Sequence, residues 1–325
     1  RSAWPAGYDR RIAGVSSFGS SGTIAHVVVE APPAEAPASP AAAVRPAVLP
    51  LSAMSRGSLT ALCDRYDAWL GAADARVDDI AATAALGRAH LWQRVAVVGR
   101  STTEWRAALA ARRLAPAAER RGAIVFVAAD DDQLDDAAAA VLAEALPGYR
   151  AAIEACEAAR AERALVTAPA LARFARQFAL ASAWRACGIV PAAVVGHGLG
   201  ALVADAIAGV LTLPAAMAAA ATSSDSAVSR ASGTIARTLD GVQGACTALA
   251  LGAASDALNA LAAEGAAWLS LGDRTGDVAT AALAVVAALY ERGADIDWSA
   301  LCRQGAASLP RRVALPLYPF ERERF

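Results

Sequence analysis

Apolar and polar positions divide this chain into short β-type runs and longer helical stretches. Val27-Val28-Val29 is a β-branched run, closed by Glu30-Ala31-Pro32-Pro33. The Ala/Pro-rich stretch from Ala31 to Pro46 reads as an extended linker crossing a surface. Val48 to Leu51 then predicts a strand. Amphipathic spacing from Ser55 to Leu70 predicts a helix, with Ser58 as its cap. A second helix is expected over Val77 to Gly87, a strand over Arg94 to Gly99 and a third helix over Thr102 to Arg113. Together these make a small α+β unit from about residue 45 to 118.

The pattern changes after that unit. Ala123 to Ala128 (Ala-Ile-Val-Phe-Val-Ala) predicts a strong strand, followed by Asp130-Asp131-Asp132 and a helix to Glu144. Helices are expected over Gly148 to Arg163 and Pro169 to Gly188, and a strand over Ala192 to Val195. Leu249 and Trp268-Leu269-Ser270-Leu271 mark two weaker strands, and Val278 to Arg292 a helix. Alternating strands and helices predict a parallel α/β sheet, whose sites gather at the C-terminal ends of strands. Asp130 and Gly198 are placed there. Proline at 316 and 319 forbids a helix over Leu315 to Phe320. That segment is expected to be an extended strap, with Leu317, Tyr318 and Phe320 packing back on the 45–118 unit.

Composition narrows the picture. The chain has 325 residues, room for two domains. It is 56% hydrophobic but 6% aromatic, so alanine dominates and favours helices with a small-residue core. A net charge of −1, from 30 basic and 31 acidic residues, gives no footprint for nucleic acid or an acidic membrane. The most apolar stretch, Gly198 to Ala221, contains Asp205 and Pro214 and reads as a buried helical pair, not a membrane span. The 5 cysteines (Cys63, Cys156, Cys187, Cys246, Cys302) are scattered without a C-x-x-C, and 3 histidines make no zinc-like cluster. Reduced thiols and a cytoplasmic setting follow, with no cofactor or metal expected. Arg1-Ser2-Ala3-Trp4-Pro5 does not read as a signal peptide.

The candidate chemistry lies in Gly196-His197-Gly198-Leu199-Gly200, between the 192–195 strand and a helical pattern from Ala201 to Val210. Strand, tight glycine turn and helix form the scaffold of a nucleophile elbow, G-x-S-x-G. Gly198 stands where that motif has its serine, so no acyl ester can form there. A side chain held in a sparse backbone region costs about 1–3 kcal/mol, which glycine avoids, so the turn can survive the loss. Cys187, flanked by apolar residues, reads as a buried inert thiol. Neither Ser255 nor Asp205 is assigned chemistry.

Several segments, in order, resemble one family. Gly14 to Val27 (GVSSFGSSGTIAHV) looks like the C-terminal end of a ketosynthase domain. Leu49-Pro50-Leu51-Ser52-Ala53 and Arg94 to Arg100 resemble the ketosynthase–acyltransferase linker of modular type I polyketide synthases. Ile124 to Gln133, and Trp184 to Leu213 with Val194-Val195-Gly196-His197, resemble the acyltransferase core. Asp295-Ile296-Asp297-Trp298 and Leu315 to Phe325 resemble the post-acyltransferase linker.

The resemblance implies a serine–histidine transferase that moves malonyl-type units from coenzyme A to an acyl carrier protein. It also implies where this chain departs from one. Gly198 replaces the nucleophile. The family's Gly-Gln-Gly oxyanion segment corresponds to Ala129, Asp130 and Asp131, and carboxylates there repel developing negative charge. The plainer reading of Asp130 to Asp132 is a helix N-terminus; a divalent-metal site is the alternative. The arginine that pairs with the extender carboxylate falls near Ser223, with Arg230 or Arg237 as substitutes or as surface charges. Only His26, His90 and His197 are present, so no base follows the elbow. His197 itself reads as a turn histidine, and His26 and His90 carry no assigned chemistry. The span from Gly198 to Trp298 is short for the family. This implies loss of the ferredoxin-like subdomain that carries the base, with about 222–243 bridging the gap. Gly244 to Gly252 resembles the returning segment, where Gly252-Ala253-Ala254-Ser255 replaces Gly-Pro-His-Pro.

The expected fold is α/β: a small α+β linker domain, then a truncated α/β-hydrolase-like acyltransferase large subdomain. Expected divisions are a ketosynthase remnant (1–33), linker (34–118), truncated core (119–293) and post-acyltransferase strap (294–325). The ketosynthase fragment implies further chain before Arg1. The expected role is a non-catalytic scaffold beside the ketosynthase of the same polypeptide, with an acyl carrier protein as further partner. A docking platform for a trans-acting acyltransferase and an acyltransferase active through other residues are alternatives. Nucleic acid and membrane are not expected partners.

Overall fold

A computed structural model describes residues 10–31, 45–113, 122–128, 134–222, 246–251, 267–271, 277–304 and 310–321. Its contacts divide the chain into two compact units, Arg1–Ala42 and Ala43–Phe325. The 32–44 part of the linker stretch, Ala129 to Asp132, Ser223, Arg230, Arg237, all but the first residue of the expected 222–243 bridge and Gly252 to Ser255 lie outside the described residues.

The first unit holds an antiparallel hairpin, β1 (Ile12–Phe18) and β2 (Ile24–Glu30), in register from Ile12↔Glu30 to Phe18↔Ile24. Only the second strand is signalled by a β-branched run. Gly14, Ser16 and Ser17 dilute the pattern of the first.

The second unit begins with β3 (Ala47–Ala53), α1 (Arg56–Leu70), α2 (Val77–Gly87), β4 (Gln93–Gly99) and α3 (Thr102–Arg113). β3 and β4 form an antiparallel two-stranded sheet. One face, with Leu49, Leu51, Val95 and Val97, packs with Leu62, Tyr66, Ile80, Trp105 and Leu109 of the helices. The cap of α1 is Ser55, which accepts from Ser58 N at 3.0 Å. Ser58, the expected cap, is instead buried inside the first turn and donates to Pro319 O at 3.1 Å. Ser55 has the extended backbone (φ −121°, ψ 161°) that a cap requires.

Proline at the centre of β3 has a local explanation. Pro50 faces Ala96 across the pair, and Ala96 N donates away from β3 to Glu291 Oε1 at 3.0 Å. The pair is therefore a non-hydrogen-bonded one, where the donor that proline lacks is not needed.

Next come β5 (Ala123–Ala128), α4 (Asp136–Ala145), α5 (Tyr149–Glu162), α6 (Pro169–Ala186), β6 (Ala193–Gly196), α7 (Leu199–Ala208) and α8 (Leu213–Thr222). Then follow β7 (Cys246–Ala250), β8 (Ala267–Leu269), α9 (Val278–Glu291) and α10 (Trp298–Arg303). The four strands form a parallel sheet in the order β6-β5-β7-β8. Side chains alternate across it: Val125, Val127, Val195, Ala248 and Ala250 form one cluster, while Phe126, Ala128 and Leu249 join the main core. That core includes Trp184, Phe174, Val203, Met217 and Tyr290. The 198–221 stretch is a helical pair with Ala216, Met217 and Ala220 buried. Among the described residues no helix is long and apolar enough to cross a membrane.

The segment 310–321 returns to α1 and α2, but its anchors differ from those expected. Leu315 (6% exposed) joins the linker core, and Tyr318 accepts from Met54 N at 3.0 Å. Leu317 and Phe320 are 72% and 79% exposed. The carbonyls of 315, 317 and 319 turn toward donors on α1 and at the end of α2, and this turn leaves those two side chains facing outward.

Candidate functional site

The elbow is built from backbone. His197 N donates to Ala128 O at 3.1 Å, carrying the β5–β6 pairing one residue past Gly196. The chain then reverses at Gly198, whose φ of 62° and ψ of −127° disfavour any side chain. Gly200 N donates to His197 O at 2.9 Å and Ala201 N to Gly198 O at 3.1 Å, opening α7. A Cβ on Gly196 would strike the Gly200 carbonyl and lie 2.6 Å from Ala201 N. Strand end and helix start therefore touch, and only glycine fits at 196. The sharp strand-to-helix turn of a nucleophile elbow is present without a nucleophile side chain.

Gly196, His197, Gly198 and Gly200 thus sit together, with Gly198 and Gly200 buried and His197 half-buried. Asp130 and Ser223 fall outside the described residues. Cys187, just before β6, is fully buried, and burial pushes its thiol up to about 12. It stays protonated near neutral pH and is a poor nucleophile. Among the described residues no group of His, Cys, Asp or Glu could hold a metal ion.

Two concavities lie elsewhere. One, of about 490 Å³, runs between α4, α5 and α6 with Met217 in its lining. The other, of about 300 Å³, lies between β3, α1 and the 316–320 segment. No residue of 196–200 lines either of them.

Among the described residues, a cluster of polar side chains joins α9 and α10 to the linker sheet. His90 Nε2 donates to Ala85 O at 2.9 Å, so Nδ1 accepts from Tyr290 OH at 2.8 Å. The imidazole stacks on Trp298, with centroids 5.7 Å apart and planes at 20°. Burial, the larger cause, and Arg94 hold the His90 pKa below its ordinary value, against Ala85 and Asp295, which raise it. Arg94 donates to Ala294 O at 2.9 Å and lies 4.8 Å from the Tyr290 ring centre. Glu291 covers the outer edge of β4 through Ala96 N and pairs with Arg112 at 3.2 Å; burial raises its carboxyl above the ordinary value. Sequence reasoning missed this junction. Its one signal was Asp295-Ile296-Asp297-Trp298: Asp297 caps α10, accepting from Ala300 N at 3.0 Å.

Comparison with known proteins follows the same outline. Residues 47–109 match a family model described as CurL-like, PKS C-terminal. The spectinabilin polyketide synthase system protein NorA' of Streptomyces orinoci is 36% identical over 244 residues, covering 65% of this chain and 7% of that protein. Erythronolide synthase EryA3 of Saccharopolyspora erythraea is 35% identical over 240 residues, again 65% of this chain and 7% of that protein. The chain therefore spans a small fraction of the curated relatives it matches. In fold it is similar to the acyltransferase domain from module 8 of the salinomycin polyketide synthase, with a TM-score of 0.63 and 18% identity over 78% of this chain and 98% of that one. The acyl transferase domain of ZmaA gives a TM-score of 0.69 and 13% identity over 84% of this chain and 99% of that one. The chain is thus similar in sequence to polyketide synthases and in fold to their acyltransferase domains.

Proposed function

We propose that this region is a non-catalytic acyltransferase remnant that serves as a scaffold beside a ketosynthase in a cytoplasmic multienzyme. One observation carries the reading: Gly198 occupies the reversal of the elbow, buried and without a side chain. Acyl transfer by this family's route needs a nucleophile at that position and a base to activate it. The chain supplies neither, since no histidine follows His197. The scaffold is divided as ketosynthase remnant (1–33), linker (34–118), truncated core (119–293) and strap (294–325), with the ferredoxin-like subdomain lost. The family-model match at 47–109 falls within that linker. Asp130 and Ser223 mark the degenerate oxyanion and carboxylate-binding positions. The partners are the ketosynthase of the same polypeptide and an acyl carrier protein.

Intact-protein mass after incubation with malonyl- or methylmalonyl-coenzyme A is expected to show no adduct. An acyl adduct on the unmodified chain would overturn the reading and require a nucleophile outside the family's set.

A second reading, a landing surface for an acyltransferase acting in trans, is favoured by exposed apolar side chains. Met54 and Phe320, both lining the smaller cavity, are 58% and 79% exposed. Co-purification of a trans-acting acyltransferase with this chain, lost on Met54→Ser/Phe320→Ser, would distinguish it from a passive scaffold.

A further inference from the structure

The larger cavity, of about 490 Å³, stays open because two of its walls are alanine. α4 lines it with Ala139, Ala140 and Ala143, and α6 with Ala172 and Ala175. Side chains that end at Cβ do not bridge the space between helices, where interiors are normally close-packed. The floor is apolar: Cys156, Leu171 and Met217 are all buried, and the thioether adapts to what lies on it. α5 borders the cleft from Arg150 to Arg160, so it follows about 15 Å of helix. Its volume falls inside the range of small-molecule sites, about 300–1,000 Å³.

Charged side chains of both signs border this cleft, and they are not equally engaged. Arg150 pairs with Glu144, Arg176 with Asp136 at 3.2 Å, and Arg160 donates to Leu165 O at 3.2 Å. Glu154 and Glu157 are exposed, and among the described residues neither has an ion pair or a hydrogen bond. Three residues apart on α5, their carboxylates lie on one face of the helix. Glutamates on an open surface are ordinary solvated charges, but these two edge an apolar cleft. The field of Glu157 also reaches the floor: with burial, the larger cause, it pushes the Cys156 thiol up to about 12. A cation placed here relieves that field, and an anion adds to it.

We propose that the cleft between α4, α5 and α6 binds an amphiphilic organic cation, with its unbranched apolar body on Leu171 and Met217 and its ammonium group against Glu154 and Glu157. The elongated apolar floor selects the body, and the two unengaged carboxylates select the sign of the head. The site needs no nucleophile and is independent of the scaffold reading. The two fail separately, since an acyl adduct bears on the elbow and amine binding on this cleft.

The test is calorimetric titration of the full chain with three probes of equal length: octylamine, octanol and octanoate. Octylamine is expected to bind at one site, octanol about tenfold more weakly and octanoate more weakly still. Glu154→Gln/Glu157→Gln should bring octylamine to the level of octanol and leave octanol unchanged. Ala172→Phe, which fills the cleft, should abolish binding of both. The proposal is overturned if octanol or octanoate binds as tightly as octylamine, or if the glutamine pair leaves the amine affinity unchanged. It is equally overturned if a folded Ala172→Phe variant binds like the parent, or if no probe binds up to its solubility. Should Ala172→Phe fail to fold, the glutamine pair, at exposed positions, decides alone.

Discussion

The elbow and the linker–core junction differ in what they are made of. The elbow is assembled from backbone hydrogen bonds and glycines, and its reversal bears no functional group. The junction is assembled from specific side chains: His90, Arg94, Tyr290, Glu291 and Trp298, each with a named partner on another element. In an acyltransferase the costly polar arrangement belongs at the site of reaction. Among the described residues of this chain, such an arrangement is found where β4, α9 and α10 meet. The turn needs no nucleophile to hold its geometry, because it is fixed by packing of strand against helix. Buried polar side chains are costly unless fully partnered, so their concentration marks the part of the fold that still needs a unique arrangement.

The largest expected effect therefore falls on the junction. Trp298 is 5% exposed, stacks on His90 and meets Tyr290 edge-on at 5.3 Å. Trp298→Ala should cost about 3–5 kcal/mol, read from the midpoint and slope of urea unfolding. A loss below about 1 kcal/mol would mean that linker and core are coupled elsewhere, and the contrast with the elbow would collapse.

A smaller effect is expected at the elbow. Gly198→Ser places a side chain at φ 62°, ψ −127°, for about 1–3 kcal/mol. The same variant sharpens the chemical side of the comparison. With no histidine after His197 to activate it, the new hydroxyl should take up no acyl group from malonyl-coenzyme A. An adduct on the Gly198→Ser variant, with none on the unmodified chain, would show that the pocket survives intact and that only the nucleophile was lost.

Smaller again is the link between strap and linker. Ser58→Ala removes the buried donor to Pro319 O, and about 1 kcal/mol of stability should go with it. A neutral outcome would leave the carbonyl satisfied by water and shift the anchoring role to Leu315.

The elbow and the parallel sheet were legible in the sequence because their signals are local. Gly196, Gly198 and Gly200 are spaced within one turn, and Ala-Ile-Val-Phe-Val-Ala is a contiguous run. The junction was not legible, because its contacts are far apart in the chain: His90 and Tyr290 lie 200 residues from one another. α10 escaped notice because its six residues, Trp298–Arg303, are too few to show a helical period. The cap of α1 was misplaced by three residues because serines stand at both 55 and 58 and only backbone geometry separates them. The strap was expected from its prolines, yet its inward face was not. Which residues turn inward depends on Arg65, Arg88 and Ser58 capturing alternate carbonyls.

The smallest effect separates the two regions by pH. His90 has a pKa held below its ordinary value, first by burial and then by Arg94, partly offset by Ala85 and Asp295. Its unfolded-state value near 6.5 is therefore the higher of the two. As pH falls through that value, the unfolded chain takes up the proton first and gains stability relative to the fold. Stability at the junction should thus decline as pH drops below about 6.5, and the decline should end below the folded value. The neutral form is the one that fits, since Nδ1 accepts from Tyr290 while Nε2 donates to Ala85. His90→Gln should flatten this part of the stability–pH curve, whereas Gly198→Ser should leave its shape unchanged and only lower it. Parallel curves for wild type and His90→Gln between pH 7.5 and 5.5 would place the titration outside the junction and remove pH sensitivity from the contrast.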